Sequence, residues 1–287
     1  MVRGGKEVRG GKEVGEGKEV REGKETGGTV DPEKVTLTTV PLGNSGLHVA
    51  PLSLGTVKLG RDQHVKYPDP VTIPDDRAAR RLLNHAHELG INLLDTAPAY
   101  GHSEERLGGL LKSVAGDWQI CTKVGEEFND GQSSHNFSPE HCHYSIERSL
   151  RRLQIDVLDI VLIHSDGNDL EILDRYGTLE ALLDLKRAGK IRAVGISHKT
   201  IAGAERALEK GVDVIMATLN RAEKDERPLI EQAARKGCGV LIKKALVSGH
   251  GDPADLSWVA AQTGVHSIVV GTTNTSHLTA NAARVAS

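Results

Sequence analysis

The segment YSIERSLRRLQIDVLDIVLIH, residues 144–164, joins a helical pattern to a nearly continuous apolar run. Its first part belongs to a helix predicted near 139–152, which has Ser138 as its N-cap and Pro139 at its first position. The run at 157–163 lacks the alternation of a half-exposed strand, so it predicts a parallel strand covered by helices. A buried strand beside an amphipathic helix is the repeating unit of α/β proteins.

This unit recurs along the chain. Eight apolar runs predict strands at 52–55, 91–95, 118–124, 157–163, 191–196, 212–217, 239–243 and 267–271. Helical patterns follow them near 75–90, 104–114, 139–152, 178–188, 200–210, 226–236, 254–263 and 275–286. Eight regular units in about 250 residues predict an α/β fold of the closed (β/α)₈ TIM barrel type. An open nucleotide-binding sheet would need a glycine-rich loop, which is absent after 52–55.

Two further segments precede the first unit. Residues 36–50 alternate apolar and polar side chains around a Gly-Asn turn, which predicts a β-hairpin that closes the bottom of the barrel. Residues 2–25 are four copies of a hexapeptide with too few apolar side chains to offset the entropy of ordering them. We therefore predict a flexible low-complexity tail at 1–35 and a single barrel domain at 36–287.

Composition excludes several classes of protein. The net charge is only −3 and the basic residues are dispersed, so nothing indicates a nucleic-acid partner. No apolar run reaches the roughly 18 residues of a membrane span. Three isolated cysteines, Cys121, Cys142 and Cys238, indicate a reducing, cytoplasmic location. His141 and His143 point apart on a predicted helix, so we predict no metal site.

Four polar residues are predicted at the C-terminal ends of neighbouring strands, where barrel enzymes have their active sites: Asp95, Tyr100, Lys123 and His164. Reduction of a carbonyl requires a proton for the developing alkoxide. A tyrosine can supply it if a nearby ammonium stabilises the phenolate. Asp95 would then orient Lys123, and His164 would polarise the substrate oxygen. A nicotinamide would supply the hydride.

Three other functions stay open at this point. A barrel aldolase would use a strand lysine as a Schiff-base nucleophile, and Lys123, Lys243 and Lys244 are candidates. The same site could work in the oxidative direction as an NAD(P)-dependent sugar or alcohol dehydrogenase. A barrel could also bind a nucleotide and regulate without turnover, because fold does not determine function.

The motifs around these residues resemble those of the aldo-keto reductases, in particular the bacterial type. The similar segments are DTAPAYGHSE at 95–104, TKV at 122–124 and LIHSD at 162–166, and the resemblance runs from about 36 to 284. It implies a (β/α)₈ barrel that reduces aldehydes or ketones with NADPH, or alternatively with NADH. The catalytic residues that it implies are Asp95, Tyr100, Lys123 and His164.

The resemblance also implies a cofactor site, in which three positions depart from the family pattern. His198 replaces an asparagine, Met216 replaces the amide-binding glutamine, and Lys243 replaces the aromatic residue that stacks on the nicotinamide. The segment at 270–281 is similar to the pyrophosphate and adenosine site, where a helix N-terminus suits a phosphate. The implied cofactor residues are Gly55, Thr56, Asp95, Ser197, His198, Met216, Lys243, Leu246, Gly271, Thr272, Thr273, Asn274 and Asn281.

Three loops are expected to determine access to the substrate. The segments at 125–138 and 165–177 are predicted to be large loops that form the walls of the site. The segment at 247–253 is short, which predicts an open site for a small carbonyl compound. Neither a particular substrate nor an oligomeric state follows from these residues.

Overall fold

The computed structural model describes residues 35–286, which begin with a short antiparallel hairpin. Its strands are β1 (Val40–Pro41) and β2 (His48–Val49). The side chains of Leu42 and Leu47 are buried among the residues that fill the inside of the barrel. A Cβ on Gly239, the first residue of a barrel strand, would collide with Leu42. The hairpin therefore plugs the N-terminal end of the barrel, as the sequence predicts.

Eight parallel strands form the closed barrel. In chain order they are β3 (Leu52–Gly55), β4 (Leu93–Asp95), β5 (Gln119–Val124), β8 (Leu158–His164), β9 (Ile191–Ser197), β10 (Val214–Thr218), β11 (Gly239–Lys243) and β12 (Ser267–Val270). Each strand pairs with the next in this series, and β12 pairs with β3 to complete the ring. The predicted TIM barrel is confirmed.

The helices of the described residues surround this ring. They are α1 (Asp76–Glu88), α2 (Ser103–Leu110), α3 (Pro139–Leu153), α4 (Asp169–Asp174), α5 (Thr178–Arg187), α6 (Ile201–Glu209), α7 (Arg227–Arg235), α8 (Asp255–Ala260) and α9 (Thr275–Ala286). Side-chain caps fix several starts: Ser138 Oγ accepts from the backbone N–H of His141, and Asp75 accepts from that of Ala78.

The two predicted wall loops contain secondary structure that the sequence analysis did not assign. Residues 125–138 include an antiparallel hairpin of β6 (Glu126–Asn129) and β7 (Gln132–His135). Residues 165–177 include α4. The sequence of this hairpin has no alternation of apolar and polar side chains, and tertiary contacts hold it in place. In one of them, the guanidinium of Arg61 lies 3.5 Å from the centroid of the Phe128 ring.

Several other expectations concern features away from the barrel strands. The predicted tail lies outside the described residues, apart from its last residue, Val35. Cys121, Cys142 and Cys238 are free and buried. Within 35–286 no helix has the length and apolar character needed to cross a membrane. The same part of the chain contains no group of three or more His, Cys, Asp or Glu residues arranged to hold a metal ion.

Candidate active site

Asp95, Lys123 and Tyr100 form a hydrogen-bonded cluster at the C-terminal end of the barrel. Asp95 ends β4 and Lys123 is the last residue but one of β5, the neighbouring strand. The Nζ atom of Lys123 lies 2.7 Å from Asp95 Oδ1, 2.9 Å from the carbonyl oxygen of Thr96 and 3.1 Å from Tyr100 Oη. Tyr100 ends a 3₁₀ turn, Pro98–Tyr100, which begins three residues after β4. All three ammonium hydrogens are therefore directed at an oxygen.

Burial and the neighbouring groups together set the ionisation of this cluster. Burial works against the charge of Lys123, but Asp95, Tyr100 and Cys121 together outweigh it and raise the pKa of Lys123, so the side chain is an ammonium at neutral pH. Burial raises the pKa of Tyr100 above its usual value, and the ammonium of Lys123 opposes that rise. Tyr100 thus keeps its proton at neutral pH, and its oxygen lies next to a positive charge.

His164 lies opposite Tyr100. It ends β8, and the two rings are nearly perpendicular with their centroids 6.3 Å apart. His164 Nδ1 lies 2.9 Å from Oε2 of Glu126, in the β6–β7 hairpin. Burial lowers the pKa of His164, while Glu126 opposes this effect. Because Nδ1 faces Glu126, Nε2 is the ring nitrogen left for a ligand.

A cavity of about 750 Å³ opens beside these residues, and Tyr100, Lys123 and His164 form part of its wall. The wall continues through Gly271, at the end of β12, to Asn281 in α9. Its volume lies within the range of small-molecule and cofactor sites. The arrangement places the hydroxyl of Tyr100 in the wall of a cavity that is large enough for a small-molecule ligand.

A further wall of the cavity is residues 67–72, here called the crossing segment. A Cβ on Gly271 would come within 2.5 Å of Tyr67 Oη, and one on Gly249 within 3.2 Å of Pro68. The Nζ atom of Lys58 lies 3.8 Å from the centroid of the Tyr67 ring. The crossing segment therefore contacts the loops that follow both β11 and β12.

Comparisons with known proteins agree with this geometry. Residues 51–255 match the model of the Aldo/keto reductase family. The chain belongs to this family. A protein of known structure from Pseudomonas aeruginosa, itself a proposed aldo-keto reductase, is 50% identical with a TM-score of 0.81. That comparison covers 88% of this chain and 97% of the other.

Two relatives of named activity show how far the likeness extends. L-galactose dehydrogenase of Arabidopsis thaliana is 34% identical over 223 residues, which are 72% of this chain and 65% of the plant protein. The NADH-specific methylglyoxal reductase of Escherichia coli is 30% identical over 204 residues, which are 65% and 61% of the two chains. This chain thus matches less than two thirds of the length of either relative. Aldo-keto reductases use nicotinamide cofactors.

Most of the implied cofactor residues lie in the cavity wall of this aldo-keto reductase. They are Gly55, Asp95, Ser197, Met216, Lys243, Leu246, Gly271, Thr272, Thr273 and Asn281. Lys243 Nζ donates to Ser197 Oγ at 3.0 Å and to the carbonyl oxygen of His198. The lysine thus occupies the space between β9 and β11 at the barrel end.

The other three implied cofactor residues are engaged within the protein and are not part of that wall. The fully buried side chain of His198 lies 2.6 Å from Glu226 Oε2. Thr56 donates from Oγ1 to the carbonyl oxygen of Asp95. Asn274 Oδ1 accepts from the backbone N–H of Ser276 and so caps α9. Each of these side chains has a structural partner, which explains why it does not face the cavity.

The cavity wall fits a nicotinamide dinucleotide. Lys58, Lys244 and Arg284 supply positive charge for phosphates, although Asp69 is also present. The hydroxyls of Thr272 and Thr273 add donors. Gly271 allows Tyr67 to approach the end of β12, because a Cβ there would come within 2.5 Å of Tyr67 Oη. Such a cofactor would be held by these residues at one end and by Ser197, Met216 and Lys243 at the other.

Sequence reasoning missed Glu126, Tyr67, Lys58 and Arg284, and it named Lys244 only as a candidate nucleophile. Glu126 lies in a segment without apolar alternation, so nothing signals that it reaches His164. Tyr67 stands in a proline-rich loop, whose path no local pattern fixes. Arg284 is one of many helical arginines. The only signal in the sequence for a role of Arg284 at the cofactor site is that it lies three residues after Asn281.

Proposed function

We propose that this protein is an NAD(P)H-dependent reductase of aldehydes or ketones in which Tyr100 is the proton donor. The observation that supports this best is the hydrogen bond that Tyr100 Oη accepts from the buried ammonium of Lys123, which also donates to Asp95 and Thr96 beside a cavity fit for a dinucleotide. We propose NADPH as the preferred cofactor because Lys58, Lys244 and Arg284 line the cavity; NADH is the alternative.

The chain's own residues perform the proton chemistry. When bound, the reduced nicotinamide supplies the hydride. Tyr100 donates its Oη proton to the oxygen of the substrate as negative charge develops there. Lys123 stabilises the phenolate, and Asp95 keeps Lys123 charged and in place. His164, when protonated, donates from Nε2 to the same oxygen and orients the carbonyl.

The same groups work in reverse, so an alcohol could be oxidised with Tyr100 as the base. The named relatives include both a dehydrogenase and a reductase. We therefore propose a small carbonyl compound and its alcohol as the substrate pair, to be assayed in both directions. The free, buried cysteines support the proposal of a cytoplasmic location.

The decisive experiment combines binding and turnover. Purified protein is titrated with NADPH and with NADH by nicotinamide fluorescence, and is then assayed against a panel of small aldehydes and ketones. Tyr100→Phe should reduce kcat by about a thousandfold, within the range of general acid catalysis, while the Kd of the nucleotide changes little. If the variant turns over at the normal rate, the role of Tyr100 is refuted. If neither nucleotide binds to the protein, the proposed reductase function is refuted.

A further inference from the structure

Lys243 is a cation without a carboxylate partner at the catalytic end of the cavity. Its Nζ atom donates to Ser197 Oγ and to the carbonyl oxygen of His198, both of which are neutral. No Asp or Glu among the described residues forms an ion pair with it. Lys123, by contrast, is neutralised by Asp95. The positive charge of Lys243 is therefore poorly compensated.

The position of this charge relates it to the reaction centre. Ser197, which anchors the amine, pairs in register with His164 on the neighbouring strand, and such partners lie roughly 5 Å apart. Lys243 also lines the same cavity as Tyr100 and His164. A nicotinamide that exchanges hydride with a carbonyl held by those two residues must lie at this end. Its reduced ring is neutral, whereas its oxidised ring carries a positive charge.

We propose that Lys243 makes the site bind the reduced cofactor in preference to the oxidised cofactor, through repulsion of the cationic ring. This inference rests on the proposed function, because it assumes a nicotinamide in the cavity. The consequence is a site that favours carbonyl reduction and releases the oxidised product readily. A neutral side chain at this position would lack that bias.

The preference for the reduced cofactor has an upper limit, because Lys243 can lose its proton when the oxidised cofactor binds. Burial lowers the pKa of Lys243 to about 8. Glu226 and Asp169 oppose this shift, while Lys244 and Lys123 add to it; the neighbouring rings of His164 and His198 also belong to this environment. If repulsion is strong, the oxidised cofactor binds with loss of the lysine proton, at a cost of tenfold per pH unit below that pKa. The contribution of Lys243 is then at most about thirtyfold near pH 6.5 and disappears above the pKa.

The test is the ratio of the Kd of the oxidised form to the Kd of the reduced form, measured by titration calorimetry for NADP⁺ with NADPH and for NAD⁺ with NADH. Wild type is compared with Lys243→Met at about pH 6.5 and pH 9.5. We expect the ratio of the wild type to exceed that of the variant by roughly ten- to thirtyfold at the lower pH and to equal it at the higher pH.

Two further variants control the experiment. Lys244→Met removes the adjacent cavity cation and should change both affinities by a similar factor, which leaves the ratio as in wild type. Lys243→Arg keeps the charge at all pH values and should retain a high ratio at pH 9.5. If the nucleotides bind but Lys243→Met leaves the ratio unchanged at about pH 6.5, the inference fails and the proposed function stands. If none of the four nucleotides binds, both fail.

Discussion

Lys123 is almost completely buried and depends on Asp95 for its charge. The side chain is 1% exposed, and its Nζ atom contacts Asp95 at 2.7 Å. Removal of one partner from a buried ion pair leaves the other charge without compensation, whereas replacement of both by neutral groups of similar size is often tolerated. Single and double substitutions of this pair should therefore differ in their effect on stability, although both should abolish turnover.

The single variant Lys123→Met should lower the free energy of unfolding by about 3–5 kcal/mol, since Asp95 would remain charged in the barrel. The double variant Asp95→Asn/Lys123→Met should recover most of this loss, while both proteins lack reductase turnover. Urea unfolding and an assay of NADPH oxidation measure the two effects. Equal stability of the single and double variants would contradict the uncompensated charge.

Lys243 should destabilise the folded protein at neutral pH. Burial lowers its pKa from 10.5 to about 8, so the folded state disfavours the ammonium. The penalty is fully present below pH 8, where the lysine is charged in both states, and is lost as pH rises from 8 to 10.5.

Lys243→Met should therefore raise the free energy of unfolding by about 2–3 kcal/mol at pH 7. This gain should shrink towards zero as the pH approaches 10.5. Denaturant unfolding of both proteins at a series of pH values provides the measurement. A gain that is independent of pH would show that packing, rather than charge, is responsible.

At the scale of elements, the β6–β7 hairpin places a carboxylate next to His164. Glu126 in β6 faces His164, while its neighbour Glu127 faces away and pairs with Arg148 at 2.6 Å. Two adjacent carboxylates in one strand thus have different partners, as expected from the alternation of side chains along a strand. If His164 acts as proposed, Glu126 is expected to position it, whereas Glu127 anchors the hairpin to α3.

Glu126→Gln should lower kcat by about tenfold at neutral pH and shift the alkaline limb of the pH–rate profile, where His164 loses the proton it donates, to lower pH. The shift follows because Glu126 raises the pKa of His164, so its loss makes protonation of the ring harder. Glu127→Gln is the matched control and should leave the profile in place. Profiles of kcat over the acidic and neutral range decide the matter; an identical shift in both variants would assign the effect to hairpin stability.

At the scale of the whole molecule, the β1–β2 hairpin packs against the N-terminal end of the barrel, and the candidate active site lies at the C-terminal end. Gly43 and Gly46 in its turn both have positive φ, +53° and +76°. A Cβ on Gly43 would overlap the carbonyl oxygen of Gly237, whereas one on Gly46 would meet nothing within 4 Å. The first glycine is thus fixed by close packing and the second only by backbone conformation.

Gly46→Ala should lower the free energy of unfolding by about 1–2 kcal/mol, because alanine is less stable than glycine in the left-handed backbone conformation. Gly43→Ala should lower the free energy of unfolding by about 3–5 kcal/mol, because the alanine Cβ also collides with Gly237. Urea denaturation measures both. Similar losses in the two variants would mean that the hairpin does not press against the barrel, and the Kd of the nucleotide should be unaffected in either folded protein.

The barrel and the grouping of the four candidate catalytic residues at one end of it were predictable because their signals are local. Runs such as 157–163 are apolar throughout, and Asp95 and Lys123 fall at or near strand ends, where a barrel gathers its polar groups. The β6–β7 hairpin was not predictable, since its strand Gln132–His135 is exposed and polar. The fate of His198 likewise depends on Glu226, 28 residues away, and no local pattern contains that information.

The crossing segment has a consequence for the exchange of the proposed nucleotide. Tyr67 and Pro68 lie against the two loops that flank the cavity, so the crossing segment bridges them. A nucleotide held in the cavity as proposed would have to pass this segment when it enters and when it leaves, in either oxidation state of its ring. Movement of this short strip of chain would then be a step separate from hydride transfer, as the opening of a loop is in many enzymes.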